Sequence, residues 1–243
     1  MKKGYRLLAL LLTLALCLSL TVSWAGFASA EENSSVANRY NVVMVIDKSG
    51  SLRDERGIGT DPEGLRYDAM KLFLGLLTET GNNVGAVVFD DQIRLDSGLR
   101  PMDSMEDKRA LVSEVEALGT SYDTDIGGAV LRATEILHGM QEKNGLPCAI
   151  LLLTDGTTDF PQENRWLRME RSLEAGDQAL KRAQEEGITI HGILLDVDGR
   201  AAAGESEVRR YTDGTDGEFE IVSKPEDLTA TFGRFYSIIN KTE

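Results

Sequence analysis

The chain has 243 residues, with 26 Lys and Arg against 40 Asp and Glu, and a formal charge of −14. Its 42% hydrophobic content is enough for a packed core and too high for a disordered acidic tail. The acidic balance excludes non-specific binding to nucleic acid or anionic lipid, which needs a basic footprint, but it suits divalent cations.

Lys2, Lys3 and Arg6 precede an apolar run from Leu7 to Leu20, and Ala28-Ser29-Ala30 stands directly before Glu31-Glu32. That order is the pattern of a secretory leader with an A-x-A cleavage site. Residues 1–30 are therefore expected to be a signal peptide, 31–39 a short polar lead and 40–243 the folded domain. If the leader stays attached it becomes a membrane anchor, so the chain is expected to be secreted or held at the cell surface. Cleavage leaves 213 residues and a charge of −17, because Lys2, Lys3 and Arg6 depart with the leader. Cys148 is then the one remaining cysteine, which excludes an intrachain disulfide. It lies in an apolar run and is expected to pack in the core.

Asn41 to Ile46 (NVVMVI) is β-branched, bounded by polar residues, and predicts a strand buried on both faces. It runs into Asp47-Lys48-Ser49-Gly50-Ser51. Met70, Phe73, Leu74 and Leu77 fall at i, i+3, i+4 and i+7, which predicts a helix. Val84 to Phe89 is a second buried strand. Asp90-Asp91 then suits a tight hairpin, and between Gln92 and Arg100 the apolar Ile93, Leu95 and Leu99 alternate with polar residues. That alternation predicts a half-exposed antiparallel edge strand. Met105 to Leu118 is expected to be helical. The loop Gly119 to Asp125 opens a further helix marked by Ile126, Val130, Ala133, Leu137 and Met140.

Ala149 to Leu153 is a third buried strand, ending at Thr154-Asp155-Gly156. A helix from Trp166 to Ala183 and a strand from Ile188 to Leu195 follow, with Asp196-Val197-Asp198-Gly199 read as a turn. Pro225 precedes a last amphipathic helix carrying Leu228, Phe232, Phe235 and Ile239. The expected fold is a doubly wound α/β domain. Its sheet is mostly parallel with one antiparallel edge strand, and helices cover both faces.

Binding sites in such sheets lie beyond the carboxyl ends of the strands, and three of those ends here carry oxygen-bearing side chains. The chemistry indicated is a hard divalent cation, with carboxylates and neutral hydroxyls as donors. Gly50 lets the chain turn so that Ser49 and Ser51 both point at one ion.

The D-x-S-x-S segment Asp47-Lys48-Ser49-Gly50-Ser51, the loop Thr124-Asp125-Ile126-Gly127 and the T-D-G of Thr154-Asp155-Gly156 together resemble the von Willebrand factor A (vWA) domain. The resemblance covers about Asn41 to Asn240. It implies a Rossmann-like fold and a metal-ion-dependent adhesion site (MIDAS) in which Asp47, Ser49, Ser51, Thr124 and Asp155 hold Mg²⁺, with Mn²⁺ or Ca²⁺ as alternatives. It further implies a protein partner whose acidic side chain completes the coordination shell. Lys48 is expected to point away from the ion. Asp54-Glu55 shares the spacing of an adjacent calcium site in integrin β chains. A solvated charge cluster is the preferred reading there, since the second acid is Glu and the loop to Arg66 is long.

Two other functions compete with this one. A phosphoryl-transfer hydrolase could use Asp47 after the first strand, as in haloacid dehalogenase-like phosphatases, but residue 49 is Ser where that chemistry wants Asp. A chaperone-like subunit of a metal-insertion complex uses the same fold, but export argues against it. His138 and His191 fall on a helix and a strand and are expected to be packing or surface residues. No nucleophile elbow, zinc-protease motif or glycine-rich phosphate loop is present. The expectation is a non-enzymatic, metal-dependent binding domain.

Overall fold

The structure, a computed structural model, describes residues 39–77, 80–119, 123–197, 199 and 202–240. The leader and most of the polar lead lie outside these residues, as do Thr120, Ser121 and Asp198.

The central strands are β1 (Asn41–Asp47), β2 (Asn83–Phe89), β5 (Cys148–Thr154) and β6 (Thr189–Leu195). They lie in the order β2-β1-β5-β6 and are parallel throughout, and β7 (Phe219–Val222) adds a parallel strand beyond β6. Their side chains alternate between two apolar layers. Val42, Met44 and Ile46 of β1 pack with α1 (Leu65–Leu76), α2 (Met105–Glu116) and α7 (Leu228–Ile239). Val43 and Val45 pack with α3 (Ile126–Leu137), α5 (Arg165–Glu186) and α6 (Ala202–Gly214). Burial on both faces explains why these strands read as unbroken hydrophobic runs.

The antiparallel edge differs in detail from the expectation. It comes as two pieces on β2, namely β3 (Ile93–Asp96) and β4 (Arg100–Pro101). Ser97 interrupts the ladder by pairing twice with Ala86: its N–H donates to the Ala86 carbonyl at 3.0 Å, and its hydroxyl accepts the Ala86 N–H at 2.8 Å. The third predicted helix also ends early, at Leu137, because Gly139 turns left-handed (φ 67°) and starts the short α4 (Met140–Asn144). Pro225 opens a 3₁₀ turn directly before α7, in keeping with its expected first-turn role. Cys148 is a buried free thiol. His138 lies just past the end of α3, with its Nδ1 2.6 Å from Glu186 Oε1.

His191 is buried on β6, edge-on to Phe235 with ring centroids 5.8 Å apart, and its Nδ1 accepts the Glu218 N–H at 3.1 Å. Burial pushes its pKa down from 6.5 to about 4. Above pH 6.5 the ring is neutral in both folded and unfolded chains. As pH falls from 6.5 to about 4 only the unfolded chain takes up the proton, so stability is lost by about 3 kcal/mol across that window. Urea unfolding between pH 7.5 and 4.5 should show wild type losing stability relative to His191→Gln; equal slopes would refute it. The difference between the two proteins isolates His191. Asp47, described next, titrates in the same range with the opposite sign.

Candidate functional site

β1 and β5 run side by side, so their carboxyl ends deliver Asp47 and the Thr154-Asp155 pair to neighbouring positions. Asp47 is wholly buried. One of its carboxylate oxygens accepts the Ser49 N–H at 2.7 Å and the other accepts the Thr154 hydroxyl at 2.6 Å. The Ser49 and Ser51 hydroxyls lie 2.9 Å apart, and Ser51 donates to Asp155 Oδ1 at 2.7 Å. Thr60, from the loop before α1, donates to Asp155 Oδ2 at 2.5 Å. Four predicted residues, Asp47, Ser49, Ser51 and Asp155, thus belong to one continuous oxygen cluster.

Two carboxylates share this cluster, and neither forms an ion pair among the described residues. Burial, reinforced by the Asp155 charge, pushes the Asp47 carboxyl up to about 7 against the pull of Thr154 and Ser49. Burial likewise raises Asp155, opposed by the Thr60 and Ser51 hydroxyls and by the more distant Arg66 guanidinium. Held this way, the two acids repel unless a proton or a cation intervenes.

Thr124 is placed at the same end of the sheet by a different route. Its N–H and carbonyl pair with the carbonyl and N–H of Asp159 at 2.8 and 2.9 Å, on the loop that follows β5. No hydrogen bond among the described residues joins its side chain to the other four. Asp125 is the N-cap of α3: its Oδ1 accepts the Gly128 N–H at 2.9 Å and the Ser172 hydroxyl at 2.6 Å. α3 lies so tightly on α5 that a Cβ at Gly127 would sit 1.9 Å from the Ser172 carbonyl oxygen. Glu207 of α6 ties the two loops together. It accepts the Thr157 hydroxyl at 2.6 Å, the Thr158 N–H at 2.8 Å and the Thr158 hydroxyl at 2.6 Å, while Thr158 Oγ1 accepts the Ile126 N–H at 3.2 Å.

Lys48 points away from the cluster, as expected. Its ammonium donates to the Val115 and Glu116 carbonyls at 2.8 and 3.1 Å, capping the C-terminus of α2, and burial lowers its pKa to about 8. Asp54 is spent inside its own loop, accepting the Arg56 and Ile58 N–H groups at 2.9 Å each and pairing with the Arg56 guanidinium. Among the described residues its neighbour Glu55 makes no such contact. A cleft of about 200 Å³ opens beside Asp155, lined by Ser51, Thr60, Gly156, Leu195, Val197 and Gly204. A larger cavity of about 380 Å³ lies at the other end of β5, around Cys148, His138 and Glu186, away from this chemistry.

The sequence reading missed three residues here. Thr154 had a signal, since it sits inside the T-D-G segment. Thr60 and Glu207 had none, because Thr60 reaches Asp155 only through the path of its loop and Glu207 reaches Thr157 and Thr158 only through the docking of α6.

Residues 42–157 match the family model of the von Willebrand factor type A domain. The chain has the Rossmann-like α/β fold of vWA domains. Over 197 residues it is 27% identical to the horse (Equus caballus) calcium-activated chloride channel regulator 1, covering 81% of this chain and 19% of that relative. The chain thus spans about a fifth of the relative's length. The vWA fold also aligns with the pilus adhesin SpaC from Lactobacillus rhamnosus GG at a TM-score of 0.65 and 15% identity, over 84% of this chain and 30% of the adhesin. It aligns with proximal thread matrix protein 1 of the mussel byssus, a structure with a zinc-occupied MIDAS motif, at a TM-score of 0.55 and 14% identity. That match covers 84% of this chain and 46% of the mussel protein. At these identities the two structures speak to the fold of the vWA domain.

Proposed function

We propose that this vWA domain holds a divalent cation at the carboxyl end of its sheet and engages a protein partner through it. The carrying observation is the cluster Asp47–Ser49–Ser51–Asp155: one buried and one half-buried carboxylate, neither in an ion pair among the described residues, linked through serine hydroxyls. Among the described residues no group of three or more His, Cys, Asp or Glu side chains is arranged to hold a metal. The donor set here is of another kind, hard carboxylate and hydroxyl oxygens, and it fits Mg²⁺, with Mn²⁺ or Ca²⁺ as alternatives. Asp47, Ser49, Ser51 and Asp155 would hold the ion, with Thr124 as the fifth residue. The bound ion supplies a Lewis-acidic position for an oxygen ligand. With only two acidic donors the ion keeps affinity for a further anion, and an acidic side chain on the partner meets that need.

The role is recognition rather than catalysis. Support for it comes from the vWA family match, the pilus adhesin and the zinc-occupied MIDAS of the mussel protein. The adhesin likeness and the leader pattern both favour an exported, extracytoplasmic protein.

Calorimetric titration with Mn²⁺ tests the metal half: saturable binding, reversed by EDTA, is expected. The partner half predicts that capture of a native cell-surface protein needs Mg²⁺, is released by EDTA and is lost in Asp155→Ala. Failure to bind Mn²⁺ overturns the site. Capture that is indifferent to EDTA overturns the role given to it.

A further inference from the structure

The connection from β1 to α1, residues 48–64, is long for a strand-to-helix link, which commonly takes about 2–6 residues. Much of the extra length folds back on itself. The Thr60 N–H donates to the Ser51 carbonyl and the Asp61 N–H to the Leu52 carbonyl, each at 2.9 Å. The two legs pass so closely that a Cβ at Gly59 would lie 2.2 Å from the Leu52 carbonyl oxygen. Immediately beyond, Asp61 is buried, pairs with Arg66 at 2.5 Å and accepts the Leu65 N–H at 2.7 Å at the start of α1. Thr60 is therefore fixed from both sides. One neighbour must be glycine for the chain to pass, and the other is locked in a buried ion pair.

This construction delivers one functional atom. The Thr60 hydroxyl donates to Asp155 Oδ2 at 2.5 Å, while Ser51 donates to Oδ1 at 2.7 Å. The competing contact of the Thr60 hydroxyl with the Ser51 carbonyl, at 3.4 Å, is too long to hold the proton. Each oxygen of the Asp155 carboxylate thus has its own hydroxyl donor, and only one of the two donors comes from the D-x-S-x-S segment.

We propose that Thr60 is a positioning residue for Asp155. By occupying Oδ2 it fixes the plane of the carboxylate and leaves Oδ1 on the side of the serine hydroxyls. Hydrogen-bond partners that orient a ligating carboxylate commonly set metal affinity by about 10–100-fold. The inference rests on the metal-site reading above and assigns the β1–α1 loop a part in that site.

The test compares Thr60→Val, which keeps the shape and removes the hydroxyl, with Thr60→Ser, which keeps the hydroxyl. Mn²⁺ affinity is measured by calorimetry and the melting temperature in EDTA. The expected result is a 10–100-fold weaker Mn²⁺ affinity for T60V, near-wild-type affinity for T60S, and melting temperatures in EDTA within about 4 °C of wild type for both. Wild-type affinity in T60V overturns this inference alone. So does T60S binding as weakly as T60V, which would assign the effect to loop packing. If wild type itself binds no Mn²⁺, the metal-site reading falls and this one with it. Should T60V not fold, Thr60→Ala is judged by the same criteria.

Discussion

Replacing Arg66 with Met is expected to destabilise the domain by about 3–5 kcal/mol, lowering its melting temperature by roughly 10 °C. Arg66 and Asp61 form an ion pair at 2.5 Å in which both side chains are almost completely withdrawn from solvent. Removing the guanidinium leaves a buried carboxylate whose other contacts are the Leu65 and Arg66 N–H groups, and these do not neutralise it. The guanidinium also lies over the Tyr67 ring, 4.6 Å from its centroid, and donates to the Tyr67 hydroxyl at 3.0 Å. The double variant Arg66→Met/Asp61→Asn should recover part of the loss, because Asn still caps α1 and no charge is stranded. Urea unfolding of the wild type and the two variants checks this. A double variant no more stable than Arg66→Met would mean that packing of the Arg66 side chain, not the stranded charge, sets the cost.

The second large effect concerns Asp47. In EDTA, Asp47→Asn is expected to melt about 2–4 °C above wild type, the equivalent of ~1 kcal/mol. The substitution removes the buried one of two carboxylates that repel each other, its half-buried counterpart being Asp155. Asn keeps an oxygen for the Ser49 N–H and an amide able to donate to the Thr154 hydroxyl. With Mg²⁺ added the order should invert: wild type gains stability and the variant gains none, since its charge for the ion is gone. Differential scanning fluorimetry with and without Mg²⁺ reads both halves. A variant that still responds fully to Mg²⁺ would take Asp47 out of the site. A variant less stable than wild type in EDTA would mean that the carboxylate's hydrogen bonds outweigh its burial.

The elements most legible in the sequence were those whose burial is complete on every side. β1, β2, β5 and β6 have helices on both faces, so each appeared as a short, almost unbroken apolar run. α1 and α3 carry apolar stripes wide enough to count by spacing. β7 and α6 went unread. β7 has four residues at a sheet edge, mostly half-exposed, and β4 has two. α6 buries Gly204, Val208, Tyr211 and Thr212, a stripe in which two of four members are not apolar. Gly204 is there because a Cβ would lie 2.3 Å from the Gly156 carbonyl oxygen, a constraint that exists only once the helix has docked.

The candidate site divides along the same line. The D-x-S-x-S, Thr-Asp-Ile-Gly and T-D-G segments, through their resemblance to the vWA domain, name Asp47, Ser49, Ser51, Thr124 and Asp155 as the expected ligands. Parallel strands that end together carry such segments to one edge whatever the loops do. Local sequence therefore determined the fold class and the donor types. Only the tertiary structure decided which side chains meet. It sent the Lys48 ammonium to the end of α2, kept Asp54 within its own loop, and brought Thr60 to Asp155 and Glu207 to the loop after β5, partners that neither adjoins in sequence. The reason is physical: hydrogen bonds between side chains act over about 3 Å, and whether two atoms come that close depends on the path of every loop between them.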